Sequence, residues 1–280
     1  MTALIESMAD DSYRSIQAVN ISLLKELRHS PQRYLYRKTH PLVSAALTRG
    51  IAAHAATLEP DRFATGFVVW DRVTEAGASA PRRGKAWDEF SAMHAGKTIM
   101  TAAEYETASS IARAVRLDPI AAKYLDEGEP ELSLMWQHSS GRACKGRIDW
   151  LTHLDGEPVV VGLKTAQDCR HFAFGSVAAR LGYHLQWAFY HDGYVAVTGK
   201  TPRMVEIVVE ASPPHGVVTY IIPDDILAQG RGEYETLLAL LETCERDDYW
   251  PGPATTEHVL TLPSWVYGSD EDISDLGLED

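Results

Sequence analysis

Two short apolar segments constrain this chain more than any other feature. Ala143–Leu151 (ACKGRIDWL) and Pro158–Lys164 (PVVVGLK) are built of β-branched and apolar residues, yet each carries ionisable side chains in its interior. Both read as strands. Successive strand residues point to opposite faces. Lys145, Arg147 and Asp149 should therefore share one face, opposite Cys144, Ile148 and Trp150. On the second strand Val160, Gly162 and Lys164 share a face, opposite Val161 and Leu163. If the strands are neighbours, Asp149 and Lys164 converge beside position 162. Burying both charges costs free energy unless they are paired or used. A structural ion pair meets that requirement as well as a reactive pair does.

The surroundings supply a fold class. From about Val19 to Leu58 the pattern is helical, with Asn20 or Ser22 as a cap, Pro31 opening PQRYLYRKT, and a third helix through Leu42–Leu58 that stops before Pro60. Residues 61–85 read as a short strand (FATGFVVW) and a polar loop ending in Arg82-Arg83-Gly84-Lys85. Helices are expected over Trp87–His94 and Ala102–Asp126, the second announced by Thr101 with Glu104 three residues on. Strands at Glu131–Gln137, Ala143–Leu151 and Pro158–Lys164 precede a helix over Ser176–Asp192. Strands near Met204–Ala211 and Val217–Ile222 follow, then a helix over Ala228–Arg246. Strands that meet a crossover helix and then another strand indicate one α/β domain with an N-terminal helical elaboration. That gives a loose N-terminus over 1–18, a domain over 19–253 and an irregular, acidic tail over 254–280.

At 280 residues the chain can bury a sizeable core, and it has no run of about 18 apolar residues. With an N-terminus that lacks an apolar signal core, the expectation is a cytoplasmic protein with no membrane association. Cys144, Cys169 and Cys244 are widely spaced and include no Cys-x-x-Cys pair, which argues against a structural zinc or an iron–sulfur cluster. The net charge of −13 disfavours a protein that coats nucleic acid. It does not exclude DNA, because six of the acids lie in Ser269–Asp280 and a positive channel can coexist with an acidic exterior.

In YHLQWAFYHDGY, Tyr183, Gln186, Tyr190 and Tyr194 fall on one helical face, with Leu181, Leu185 and Phe189 on another stripe. GRIDWL, VVVGLKTAQD and YHLQWAFYHDGY together resemble the Asp … (Asp/Glu)-x-Lys … Gln-x-x-x-Tyr series of the PD-(D/E)XK nucleases. They are most similar to the RecE-like (exonuclease VIII) branch of phage and prophage recombination systems. SLLKELRHSPQRYLYRK, LTRGIAAHAATLEP, KAWDEF, GKTIMTAAEYETA, EPELSLMW and RDDYWPG extend the resemblance over roughly residues 20–253.

The resemblance implies a restriction-endonuclease-like α/β core, a mixed central sheet flanked by helices. It implies Mg²⁺ or Mn²⁺ as cofactor and a 5′-to-3′ exonuclease acting on linear double-stranded DNA ends. It assigns His54, Glu131 and Asp149 to the metal site. Lys164 would position or activate the attacking water, and Gln186 and Tyr190 would hold the centre and the DNA backbone. A ring-shaped homo-oligomer, and an annealing protein as partner, are implied in the same way. Arg82, Arg83 and Lys85 form the basic cluster best suited to phosphate contact.

Gly162 departs from the pattern, standing where the family has a metal-ligating Asp or Glu. Only its backbone carbonyl, or that of Leu163, remains as a donor on this strand. A bulge or close backbone contact would also account for a glycine here. A lost carboxylate is preferred because the flanking residues match, with Asp155, Glu157 and Asp168 as replacements that would have to reach from loops. On that reading turnover is impaired. The alternatives are a catalytically silent DNA-binding or regulatory protein with the same fold, and a RecB-type nuclease acting on single strands.

Overall fold

The computed structural model describes residues 4–74, 77 and 80–262. The chain opens with strand β1 (Leu4–Ser7) and helix α1 (Asp10–Ser15). Helix α2 (Ile21–Leu24), a 3-10 turn (Lys25–Arg28), α3 (Pro31–Thr39), α4 (Ala45–Leu58) and α5 (Pro60–Gly66) follow. Next come β2 (Phe67–Trp70), α6 (Lys85–Met93), β3 (Thr98–Thr101), α7 (Ala102–Leu117) and α8 (Pro119–Leu125). The remainder is β4 (Glu129–Gln137), β5 (Ala143–Leu154), β6 (Glu157–Ala166), α9 (His171–Leu181), α10 (Tyr183–Thr198), β7 (Arg203–Glu210), β8 (Val217–Ile221) and α11 (Asp224–Asp247).

Among the described residues, six strands form one mixed sheet in the order β1-β4-β5-β6-β7-β8. The one parallel pair in that sheet, β6–β7, is joined by the α9–α10 crossover, and the other neighbours are antiparallel. One face packs on α2, α10 and α11 through Leu24, Leu185, Phe189 and Leu241 against Ile148, Val160, Met204 and Val208. The other face packs on α4, α7 and α8 through Ala53, Ile111, Val115 and Leu125 against Val159, Val161, Leu163, Val205 and Ile207. A smaller parallel pair, β2–β3, closes a third cluster with α4, α5 and α7. The mixed sheet flanked by helices is the architecture the sequence implied.

Local signals set most helix starts. Asn20, Ser30 and Ser44 each accept the amide N–H three residues on, and Thr101 with Glu104 forms a reciprocal capping box. Several expectations are corrected. Residues 4–15, read as a loose N-terminus, form an edge strand on β4 and a helix. The FATGFVVW segment is strand only from Phe67, because Pro60 starts a helical turn that runs to Gly66. The helix over Ala102–Asp126 breaks at Asp118, whose carboxylate caps a new helix beginning at Pro119. The helix over Ser176–Asp192 is two helices, broken at Gly182 with φ 64° and ψ 43°, a left-handed conformation that a side chain would strain. The acidic tail Ser269–Asp280 lies outside the described residues.

Candidate active site

The site forms where the sheet loses its regularity. Asp149 lies in mid-β5, and the β4–β5 ladder pairs Pro130↔Trp150 and Leu132↔Ile148 while skipping the intervening step. At that step Glu131 takes a left-handed φ of 53°, a conformation that costs a non-glycine residue free energy and is met at functional sites. On the other side the β5–β6 ladder runs from Leu154↔Glu157 to Trp150↔Val161 and stops. The Leu163 amide then donates to Asp149 Oδ2 at 2.9 Å in place of a strand partner. The strict alternation expected along Ala143–Leu151 therefore breaks at Asp149: Cys144 and Ile148 pack into the α10–α11 core, and Trp150 packs into the opposite one. The alternation expected on β6 holds, with Val160 on the α10 side and Val161 and Leu163 on the other.

His54, from mid-α4, reaches this break. Its Nε2 lies 2.5 Å from the Leu163 carbonyl oxygen and its Nδ1 lies 3.9 Å from Asp149 Oδ2. His54, Glu131 and Asp149 each offer a ligand atom, all within 4.8 Å of one another. Two carboxylates and an imidazole, beside the Leu163 carbonyl that His54 Nε2 and Lys164 Nζ contact, are a donor set that suits a hard divalent ion such as Mg²⁺ or Mn²⁺. Glu131 is largely buried; burial, with the Asp149 charge next, pushes its carboxyl up to about 7, against the pull of Arg147. Burial also opposes ionisation of Asp149, but Lys164, His54 and the Leu163 amide outweigh it and hold its carboxyl below the ordinary value. Burial lowers the His54 imidazole against the attraction of Asp149.

Lys164 stands between two acids. Its Nζ is 3.6 Å from Asp149 Oδ2 and 3.4 Å from Glu206 Oε1, and it sits over the Tyr183 ring at 5.6 Å. Burial disfavours its charge, but Glu206 and Asp149 together overcome that and keep the ammonium protonated. Gln186 and Tyr190 of α10 line a small cavity with Asp149, Gly162, Lys164, Trp187 and Glu206. The expected face of α10 divides: Tyr183, Gln186 and Tyr190 approach the site, while Tyr194 is buried in the core. Leu181 ends α9 instead and is exposed.

Gly162 is not beside an empty space. Glu206 is its register partner on β7, so the two positions share a face. A Cβ built on Gly162 would lie 2.5, 2.6 and 2.8 Å from Glu206 Oε2, Oε1 and Cδ. The carboxylate that fills this place comes from an adjoining strand, not from Asp155, Glu157 or Asp168; Asp168 instead pairs with exposed Arg170 at 2.6 Å. Glu206 is 1% exposed, and its Oε2 accepts the Trp187 indole N–H at 2.5 Å. Neither Glu206 nor Trp187 is among the site residues that the sequence resemblance implies. In RMVEIVVE, Glu206 interrupts the apolar run Met204–Val209 at mid-strand, which is the signal that marks it.

The basic cluster stays outside the centre. Arg82 pairs with Glu104 at 3.2 Å and covers the Trp87 ring, and exposed Lys85 lies 3.8 Å from Glu89 at the start of α6. Arg83 is exposed as well.

Comparison with solved structures gives a full-length likeness to a protein from Eubacterium rectale described as "Putative exonuclease". It has a TM-score of 0.62 and 15% identity, over 96% of this chain and 99% of that one. SSO0001 (TM-score 0.26, 11% identity, 39% of this chain and 50% of that one) and VC1899 from Vibrio cholerae (0.24, 11%, 85% and 57%) also align. No curated protein matches the sequence. A family model described as "PDDEXK-like domain of unknown function (DUF3799)" matches residues 20–260. With its strand-borne Asp149 and Lys164 joined across the sheet break by His54 and Glu131, this chain belongs to that PDDEXK-like family.

Proposed function

We propose that the chain is a metal-dependent exodeoxyribonuclease of the RecE type, degrading linear duplex DNA from a 5′ end in phage or prophage recombination. The observation that carries this reading is the His54–Glu131–Asp149 cluster with the Lys164 ammonium 3.6 Å from Asp149. A divalent ion bound there would lower the pKa of a water and offset charge at the scissile phosphate. Asp149, Glu131 and His54 would hold it, with the Leu163 carbonyl as the backbone donor. Lys164, kept protonated by its two acids, serves as a cation that orients the attacking water and stabilises charge developing on the phosphate. His54 fixes the Leu163 carbonyl, and Gln186 and Tyr190 form the wall against which the DNA backbone lies.

Digestion of end-labelled linear duplex with Mg²⁺ tests this reading, with Asp149→Asn as control. Wild-type release of label that Asp149→Asn abolishes supports it, and equal behaviour of the two refutes it. The silent DNA-binding reading predicts duplex-end binding without turnover. Preference for single-stranded over duplex ends in the same assay would favour the RecB-type reading.

A further inference from the structure

We propose that Glu206 is a further acidic ligand of the centre beside Asp149 and Glu131, standing at the β7 position paired with Gly162 of β6. The inference rests on the nuclease reading for its context, but its evidence is steric. Parallel register places Glu206 beside Gly162 on one face. Any Cβ at 162 would come within 2.5–2.8 Å of the Glu206 carboxylate atoms, closer than real contacts allow. The two positions therefore compete for one volume, and a carboxylate reaches it from one strand or the other. Glycine at 162 is the condition for Glu206 to lie where it does.

Glu206 lines the same small cavity as Asp149 and Lys164, next to the close His54–Glu131–Asp149 cluster and joined to it through Lys164. Glu206 is buried between Met204 and Val208, where an acid is retained only if paired or used. Its Oε2 is anchored by Trp187 at 2.5 Å. Its Oε1 is fully buried and has no hydrogen-bond partner, facing Lys164 Nζ at 3.4 Å. Lys164 thus stands between Asp149 and Glu206, as it would between two acids carried on β5 and β6. One substitution on β6 and one on β7 exchange the source of the charge and preserve its place.

Calorimetric titration of Mn²⁺ into the full-length chain, with thermal melts of each variant, tests this without relying on turnover. Glu206→Gln keeps the shape and the Trp187 contact; it should weaken Mn²⁺ binding about tenfold or more while remaining folded. Gly162→Asp alone should not tighten Mn²⁺ binding and should melt at lower temperature than wild type. The exchange Gly162→Asp/Glu206→Ala should recover both affinity and melting temperature. The proposal is overturned if Glu206→Gln binds Mn²⁺ as wild type does, which would leave Glu206 as the counter-ion of Lys164. It is also overturned if Gly162→Asp alone tightens binding, or if the exchange recovers nothing. Wild-type chain that takes up no Mn²⁺ overturns it together with the metal centre. Chain that binds Mn²⁺ through Glu206 but releases no label from DNA refutes the nuclease reading and leaves the ligand assignment standing.

Discussion

At the scale of single residues, the centre works by setting charges against burial. Glu206 and Asp149 flank Lys164 and raise its ammonium above the ordinary lysine value, which suits a fixed cation better than a resting general base. Lys164→Met should therefore reduce turnover by about 10²-fold or more while Mn²⁺ still binds, measured by paired activity and titration experiments. Glu131 behaves oppositely. Its folded-state carboxyl is raised to about 7, by burial first and Asp149 second. A raised carboxyl favours the folded state fully below its unfolded value near 4.5, and that contribution is lost as pH rises through 7. Metal-free Glu131→Gln should accordingly melt above wild type at pH 8, with the gain shrinking towards pH 4.5. An advantage that is constant across that range would show that Glu131 is not raised.

At the scale of elements, the fold was legible where a local rule decides it. The Thr101–Glu104 box, the Ser30 and Ser44 caps and the alternation of Val160, Val161 and Leu163 follow from neighbours in sequence. Thr101→Ala should cost about 1 kcal/mol in chemical denaturation. Breaks were less legible. The α9–α10 junction turns on Gly182 adopting a left-handed backbone within a stretch whose periodicity continues across it. A Cβ there would also meet Arg28 at 2.8 Å. Gly182→Ala should destabilise the chain by about 1–2 kcal/mol, and an unchanged denaturation midpoint would contradict this. The kink at Asp149 and Glu131 was likewise invisible. It lies at the step the β4–β5 ladder skips, where Glu131 takes a positive φ, and no periodicity within either strand announces it.

At the scale of the whole molecule, the site is assembled from α4, β4, β5, β6, α10 and β7. The sequence located Asp149, Lys164, Glu131 and His54 through motif resemblance. It missed Glu206 because the replacement lies across a parallel pair 44 positions away, as the Gly162↔Glu206 register shows. Flanking turns were the wrong place to look. Among the described residues no helix is long and apolar enough to cross a membrane. Arg82, Arg83 and Lys85 are exposed, and Arg82 and Lys85 pair with Glu104 and Glu89, which are not in the His54–Glu131–Asp149 cluster; on the proposed function they guide the duplex. Replacing all three by Ala should weaken duplex-end binding and flatten its salt dependence, measured by fluorescence anisotropy over a salt series, without altering Mn²⁺ affinity. A ring-shaped oligomer is part of the same proposal, and mass photometry of the free chain checks it.

A metal-dependent nuclease centre at this sheet break has a direct consequence for linear DNA. The most direct measurement is release of label from linear duplex DNA carrying it at the 5′ or the 3′ end, with and without Mg²⁺. Early release from the 5′-labelled strand is expected, dependent on Mg²⁺ and absent in Asp149→Asn. No release by wild-type chain that demonstrably holds the metal, or release that Asp149→Asn leaves unchanged, would contradict it.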